Sequence, residues 1–181
     1  MKKKTIWIII ASIVVLLVAA YAFLMYRNRS LSPPGEVSAT TGDLTVSITY
    51  SRPSVRERLI FGTEEQEALQ PYGKYWRLGA NEATEVTFNR DVTFNGSAVK
   101  AGTYRMYAVP GPEEFEIALN SQLGQWGAFE PDYELDILKT RVPVAETSSH
   151  VEQFTISLPV VDSGIDIVFE FGETRFVVPV R

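Results

Sequence analysis

The chain has 181 residues, no cysteine, one histidine, and 17 basic against 22 acidic residues, a formal net charge of −5. Without cysteine there is no disulfide framework, no thiol nucleophile and no lipidated cysteine anchor, and His150 alone cannot build a Cys/His zinc cluster. The length fits one domain with a small appendage.

Residues Thr5 to Tyr26 carry no acidic or basic side chain and are almost all aliphatic or aromatic. As a helix they extend about 33 Å at ~1.5 Å per residue, against a hydrocarbon core of about 30 Å. Trp7 near one end, with Tyr21 and Tyr26 near the other, suits interfacial anchoring. Lys2, Lys3, Lys4 and the amino terminus outweigh Arg27 and Arg29. Residues 1–29 therefore read as a single-pass anchor in the cytoplasmic membrane, N-terminus inside and the C-terminal domain extracytoplasmic (periplasmic), with the lipid bilayer as one partner. The alternative is a cleaved signal peptide, since Ala20-Tyr21-Ala22 has small-x-small spacing, although the run exceeds the usual core of about 7–15 residues.

Ser30 to Gly42, rich in Ser, Thr, Pro and Gly, reads as a flexible linker, and residues 43–181 as the domain. Setting aside Lys2, Lys3, Lys4, Arg27 and Arg29 leaves 12 basic against 22 acidic residues, a balance of −10. Such a surface argues against nucleic acid, and against docking on anionic lipid, because phosphate contacts need clustered Lys or Arg.

From Asp43 the pattern has period two. Leu44, Val46, Ile48 and Tyr50 share a face in DLTVSITYS, and TEVTFNRDVTFNG supplies two strands and an Asn95-Gly96 hairpin turn. TYRMYAV, EFEIALN, LDILKTRV, VEQFTISL, IDIVFEF and TRFVVPV are further strands, with Gly172-Glu173 predicted as a tight hairpin between the last two. Only Thr63-Glu64-Glu65-Gln66, with capping-box spacing, reads as a short helix. The expected fold is all-β: an antiparallel β-sandwich or jelly-roll-like barrel with one short helix, preceded by a single transmembrane helix.

Three stretches could carry chemistry. PYGKYWRLGANEAT (Pro71–Thr84) offers flat faces from Tyr72, Tyr75 and Trp76, donors from Lys74 and Arg77, and the polar ends of Asn81 and Glu82, a mixture suited to a carbohydrate or zwitterion. Its structural alternative has Trp76 as a core plug and Arg77 paired with Glu82. Arg52, Arg56 and Arg58 in SRPSVRERLIFG could grip an anion, although internal salt bridges are the competing use in an acidic domain. NSQLGQWGAFEPDYELD places Trp126 before Glu130, Asp132, Glu134 and Asp136, four carboxylates that a strand would put on one face. No metal site or cofactor is expected: EF-hand spacing is missing, as are the G-x-S-x-G, H-E-x-x-H and phosphate-loop motifs. His150 reads as a surface histidine, and Asn95-Gly96-Ser97 matches a glycosylation sequon that the turn already explains.

SRPSVRERLIFG, LQPYGKYWRLGANEATEVTF and AGTYRMYAVPG, with QWGAF after them, together resemble a bacterial family known only as domain-of-unknown-function family 2911 (DUF2911). The resemblance covers Asp43 to the C-terminus and implies a small, usually exported, β-rich domain. Arg52, Trp76, Arg77, Asn81, Glu82 and Trp126 match its motif positions. With Tyr72 they form the expected ligand-binding set of an envelope binding or scaffolding module, whose partner is a glycan, a small molecule or an envelope protein. One alternative is a glycan- or peptidoglycan-acting hydrolase using Glu82 and a second carboxylate, Asp132 or Glu130. Another is a purely structural envelope assembly partner.

Overall fold

The computed structural model describes residues 3–162 and 164–181. Helix α1 (Lys3–Leu31) has 29 residues, none of them buried, and at ~1.5 Å per residue it is about 44 Å long. Its apolar side chains run round the whole circumference, and the helix is long and apolar enough to cross a membrane. Ser32 N–H still donates to Asn28 O; Pro33 and Pro34 follow with no N–H to give, and the helix stops.

Twelve strands follow among the described residues: β1 (Pro34–Thr41), β2 (Leu44–Ser51), β3 (Phe61–Gly62), β4 (Gln70–Pro71), β5 (Thr84–Phe88), β6 (Val92–Phe94), β7 (Ser97–Val99), β8 (Gly102–Val109), β9 (Glu114–Asn120), β10 (Asp136–Ser157), β11 (Val160–Val161) and β12 (Gly164–Val180). Neighbours run β1-β2-β5-β8-β9-β10-β12-β6-β7, with β11 beside β12 and a separate parallel pair β3-β4. The path is open, so of the two expected architectures it is the sandwich and not a closed barrel. Strand β10 makes it two-layered. Its residues Asp136–Pro143 pair with β9, and Val144–Ser157 pair with β12. The inner faces meet in one apolar cluster that includes Ile48, Val86, Phe88, Met106 and Ile117 from one layer and Phe94, Ile167, Phe169 and Val178 from the other. Edge-on rings bridge the layers, as at Phe88–Phe94, 6.1 Å apart.

Four expectations are corrected. The linker does not exist as a tether: α1 runs to Leu31, and Pro34–Thr41 pairs with β2 from Pro34↔Ser51 to Thr41↔Leu44. Its polar composition suits an edge strand, in which Ser38–Ser47 and Thr40–Thr45 hydroxyl pairs line one face and Val37 and Ala39 pack on the core. LDILKTRV and VEQFTISL fuse into the single strand β10. Likewise no hairpin separates IDIVFEF from TRFVVPV: Gly172, at φ 64°, lies within β12 opposite Val151, where the register shifts. The short helix is missing at Thr63. Gln66 Oε1 does accept from Thr63 N–H, the returning half of a capping box, but Glu67 at φ 55° ends the turn at once. The short helical element is instead a 3-10 turn at Tyr133–Leu135.

The outward face of β8 and β9 is also covered, by residues 121–135. Tyr107 Oη donates to Asp136 Oδ2 at 2.7 Å, Asn120 Nδ2 donates to Asp136 Oδ1 at 2.8 Å and to Asp132 O at 2.8 Å, and Lys139 pairs with Asp136. This covering carries QWGAF back toward the end of α1.

A cationic cavity where the helix meets the sandwich

Trp76 exchanges two backbone hydrogen bonds with Ala108, both 2.8 Å, and the chain then leaves the core through a sharp reversal. Leu78, Gly79 and Asn81 have φ of 52°, 146° and 56°. At Gly79 a Cβ would lie 2.6 Å from Ser51 O, so only glycine fits. Thr84 Oγ1 donates to Leu78 O at 2.6 Å and closes the loop. A second tight turn faces it, with Arg56 and Glu57 at φ 50° and 59°. Arg56 N–H donates to Glu152 Oε1 at 3.1 Å, and Arg58 folds back on Val55 O (2.9 Å) and Ser54 O (2.6 Å).

Between these turns and the end of α1 lies a cavity of about 350 Å³. Asn28, Leu31 and Ser32 form its helical wall; Arg56, Arg58, Arg77, Asn81 and Trp126 line the rest, with Pro53, Ser54, Leu69 and Gln70. Asn81 Nδ2 donates to Ser32 O at 3.1 Å and Asn28 O at 3.4 Å, and Arg56 Nη2 donates to Leu31 O at 3.3 Å. The carbonyl end of the helix, where its dipole is negative, is thus met by donors from the domain.

Among the described residues no acidic side chain lines the cavity, and the arginines around it have no salt-bridge partner. Of the nine arginines after residue 31, Arg90, Arg141, Arg175 and Arg181 pair with Asp43, Glu114 and Glu116, Glu170, and Asp166 respectively. Arg56, Arg58 and Arg77 line the cavity unpaired, and Arg52 and Arg105 are also without a salt bridge among the described residues. The salt-bridge use expected of this cluster is therefore not what the fold makes of it. Glu152 accepts from the Arg56 backbone N–H, which is the largest cause holding its carboxyl below the usual carboxylate range; the Arg56 charge acts the same way.

Arg105 is fully buried behind Arg77. Its Nη2 donates to Tyr75 Oη and Phe129 O, while Nε and Nη1 have no partner. Burial lowers the Arg77 pKa; neighbouring Tyr75 opposes the shift, and the Arg105 charge reinforces it. Burial likewise raises the Tyr75 pKa, against its hydrogen bond with Arg105. Two guanidinium groups thus share a poorly solvated corner, neither with a salt-bridge partner among the described residues.

The seven expected site residues divide. Arg77, Asn81 and Trp126 line this cavity together. Glu82 borders a neighbouring one of about 470 Å³ with Pro34, Glu36 and Tyr50, and accepts from Arg29 Nη2 at 2.8 Å. Tyr72 faces a third, of about 690 Å³, beside Pro110, Pro112 and Arg141, where the arginine is already neutralised by Glu114 and Glu116. Arg52 turns to β10, donating to Phe154 O and Thr155 Oγ1. Trp76 is 1% exposed, ringed by Phe61, Phe115, Phe154 and Phe176, and offers no face to a ligand.

Nor do the candidate carboxylates converge. Asp132 caps the 3-10 turn by accepting from Glu134 N–H, Glu130 accepts from Tyr133 Oη, and Asp136 is held in the Tyr107–Asn120 network. Four carboxylates on one strand face are thus replaced by a turn that sends each elsewhere. His150 sits 3.4 Å from Glu152 in the irregular stretch of β10, and Asn95 Nδ2 is engaged by Thr140 Oγ1 and Arg141 O. Arg105 and the helix-end residues Asn28, Leu31 and Ser32 are not among the expected site residues. An arginine interrupting the apolar run of TYRMYAV was the available signal for the first.

A family model described as a protein of unknown function (DUF2911) matches residues 32–180. No curated protein and no solved structure matches the chain.

Proposed function

We propose that this chain, which belongs to the DUF2911 family of proteins of unknown function, is a membrane-anchored module that binds an anionic ligand between its domain and the end of its helix. The carrying observation is the cavity lined by Arg56, Arg58 and Arg77 with no acidic residue among its described lining, in a domain where Arg90, Arg141, Arg175 and Arg181 are each paired with an acid. Guanidinium forks match carboxylate and phosphate oxygens two at a time. Arg105 adds a buried charge without a counter-ion, a state that costs several kcal/mol unless an anion nearby offsets it. Trp126 supplies a flat wall for the rest of the ligand.

The anchor is retained in this reading, and the domain works outside the cytoplasm. Residues 28–32 are part of the binding site rather than a spacer, which the contacts from Asn81 and Arg56 support. The hydrolase alternative loses ground: Glu82 is committed to Arg29, and neither Asp132 nor Glu130 shares its cavity. The zwitterion reading loses its acidic half for the same reason.

The test is calorimetry on the full chain in a nonionic detergent, titrated with inorganic phosphate and with acetate. Saturable binding by the wild type is expected, weakened at least about tenfold in folded Arg77→Gln and Arg56→Gln variants, the effect of losing one charge-assisted hydrogen bond. Absence of saturable heat, or wild-type affinity in both variants, defeats the proposal.

A further inference from the structure

We infer that the anion is the phosphate of an anionic phospholipid headgroup, drawn from the leaflet in which α1 ends; this rests on the anion-binding reading above. The apolar run stops at Tyr26, and the cavity wall is made by Asn28, Leu31 and Ser32. At ~1.5 Å per residue these lie about 3–9 Å beyond the hydrocarbon edge. The headgroup layer on each side of a bilayer is about 5–8 Å thick. A cavity sharing that wall opens where lipid phosphates are, and a water-borne ligand would reach it only through the headgroup layer.

The lining then selects among headgroups. Arg56, Arg58 and Arg77 receive phosphate oxygens, and no lining carboxylate is present to receive a choline or ethanolamine cation. Leu31, Leu69 and Pro53 give apolar contact to the glycerol and the first methylenes. The −10 balance of the domain opposes capture of such a membrane from solution, but α1 holds the domain at the surface, so no long-range attraction is required. Arg29 is already committed to Glu82 and adds nothing to the site.

The experiment uses the full chain in dodecyl maltoside micelles and follows phenylglyoxal modification of each arginine by peptide mass spectrometry. Phosphatidylglycerol and phosphatidylcholine are added as mixed micelles, and glycerol 3-phosphate serves as the soluble arm. Arg90 and Arg175, paired with acids away from the cavity, are internal references. Phosphatidylglycerol is expected to protect Arg56 and Arg77 at concentrations at least about tenfold below those at which phosphatidylcholine or glycerol 3-phosphate does so. Arg56→Gln, an exposed substitution that spares the core, is expected to raise the half-protecting phosphatidylglycerol concentration for Arg77 about tenfold. Equal protection by the two lipids, or protection by glycerol 3-phosphate alone, overturns the headgroup assignment and leaves the anion pocket standing. No protection by any of the three overturns both.

Discussion

Gly127 is glycine because Arg77 passes beside it: a Cβ at position 127 would lie 2.8 Å from Arg77 Cδ, and 3.0 Å from Asn81 O. QWGAF is laid on this side chain, with Gly127 N–H donating to Asn81 O at 2.8 Å and Gly127 O accepting from Tyr75 Oη at 3.0 Å. A methyl group there must push Arg77 away or lift the loop. Gly127→Ala is therefore expected to cost about 1–3 kcal/mol, the range for overpacking. Phosphate affinity should fall at least about tenfold as the guanidinium is displaced. Urea denaturation and calorimetry on the same preparation check it, and unchanged affinity would separate Gly127 from the site.

Arg105 allows stability and binding to be pulled in opposite directions. A buried guanidinium with two unpartnered nitrogens is an electrostatic liability. Methionine fills comparable space without the charge. Arg105→Met is expected to leave the chain as stable as the wild type, or up to about 4 kcal/mol more stable, as for other buried ionic groups replaced by apolar ones. Anion affinity should nevertheless drop, since the positive field behind Arg77 is gone. A variant that is both less stable and equally competent in binding would assign Arg105 to architecture alone.

The strands were legible in the sequence because burial on one face of a sheet writes period two directly, as in Leu44, Val46, Ile48 and Tyr50. Strand β1 was not, because an edge strand can satisfy its faces with Ser and Thr hydroxyls, and the composition then matches that of a tether. The fused strands β10 and β12 were misjudged at Gly172 and at TSSH, where bulges and turns use the same residues. For the site, the family resemblance grouped Arg77, Asn81 and Trp126, which the fold places on one cavity, together with Trp76, whose neighbours in the chain are polar while its neighbours in space are four phenylalanines. The net charge of −10 averages away a place where arginines gather without acids. That juxtaposition depends on two turns a score of residues apart and on the end of a helix, and no local pattern records it.

The Arg29–Glu82 pair ties α1 to the loop after Asn81 and should show in the pH dependence of stability. Burial acts to raise the Glu82 pKa, but the Arg29 hydrogen bond and charge prevail and hold it below its ordinary value of 4.5. A carboxylate with a lowered folded-state pKa stabilises the fold fully above the ordinary value, and that contribution disappears as pH falls through the folded-state value. Both side chains are about half exposed, so the contribution is below about 1 kcal/mol. The gap in melting temperature between the wild type and Glu82→Gln is expected to be largest at neutral pH and to close in acid. A gap that persists in acid would locate the effect of the substitution elsewhere.

The two tryptophans of the domain should respond oppositely. Trp76 is enclosed by aromatic rings whose centroids lie 5.0–6.4 Å away, and its Nε1 has no hydrogen-bond partner. Trp76→Ala opens a large cavity and is expected to cost about 3–5 kcal/mol. Trp76→Phe should cost well under that, because it keeps most of the packing and removes the unsatisfied N–H. Trp126 is half-buried on the cavity wall and carries little of the core. Its replacement by alanine should change stability by about 1 kcal/mol or less while weakening the bound anion's grip. Denaturation of all three variants, followed by phosphate titration of those that fold, decides the matter. If Trp126→Ala unfolds the chain as Trp76→Ala does, the cavity wall is part of the core, and Trp126 gives no independent evidence of binding.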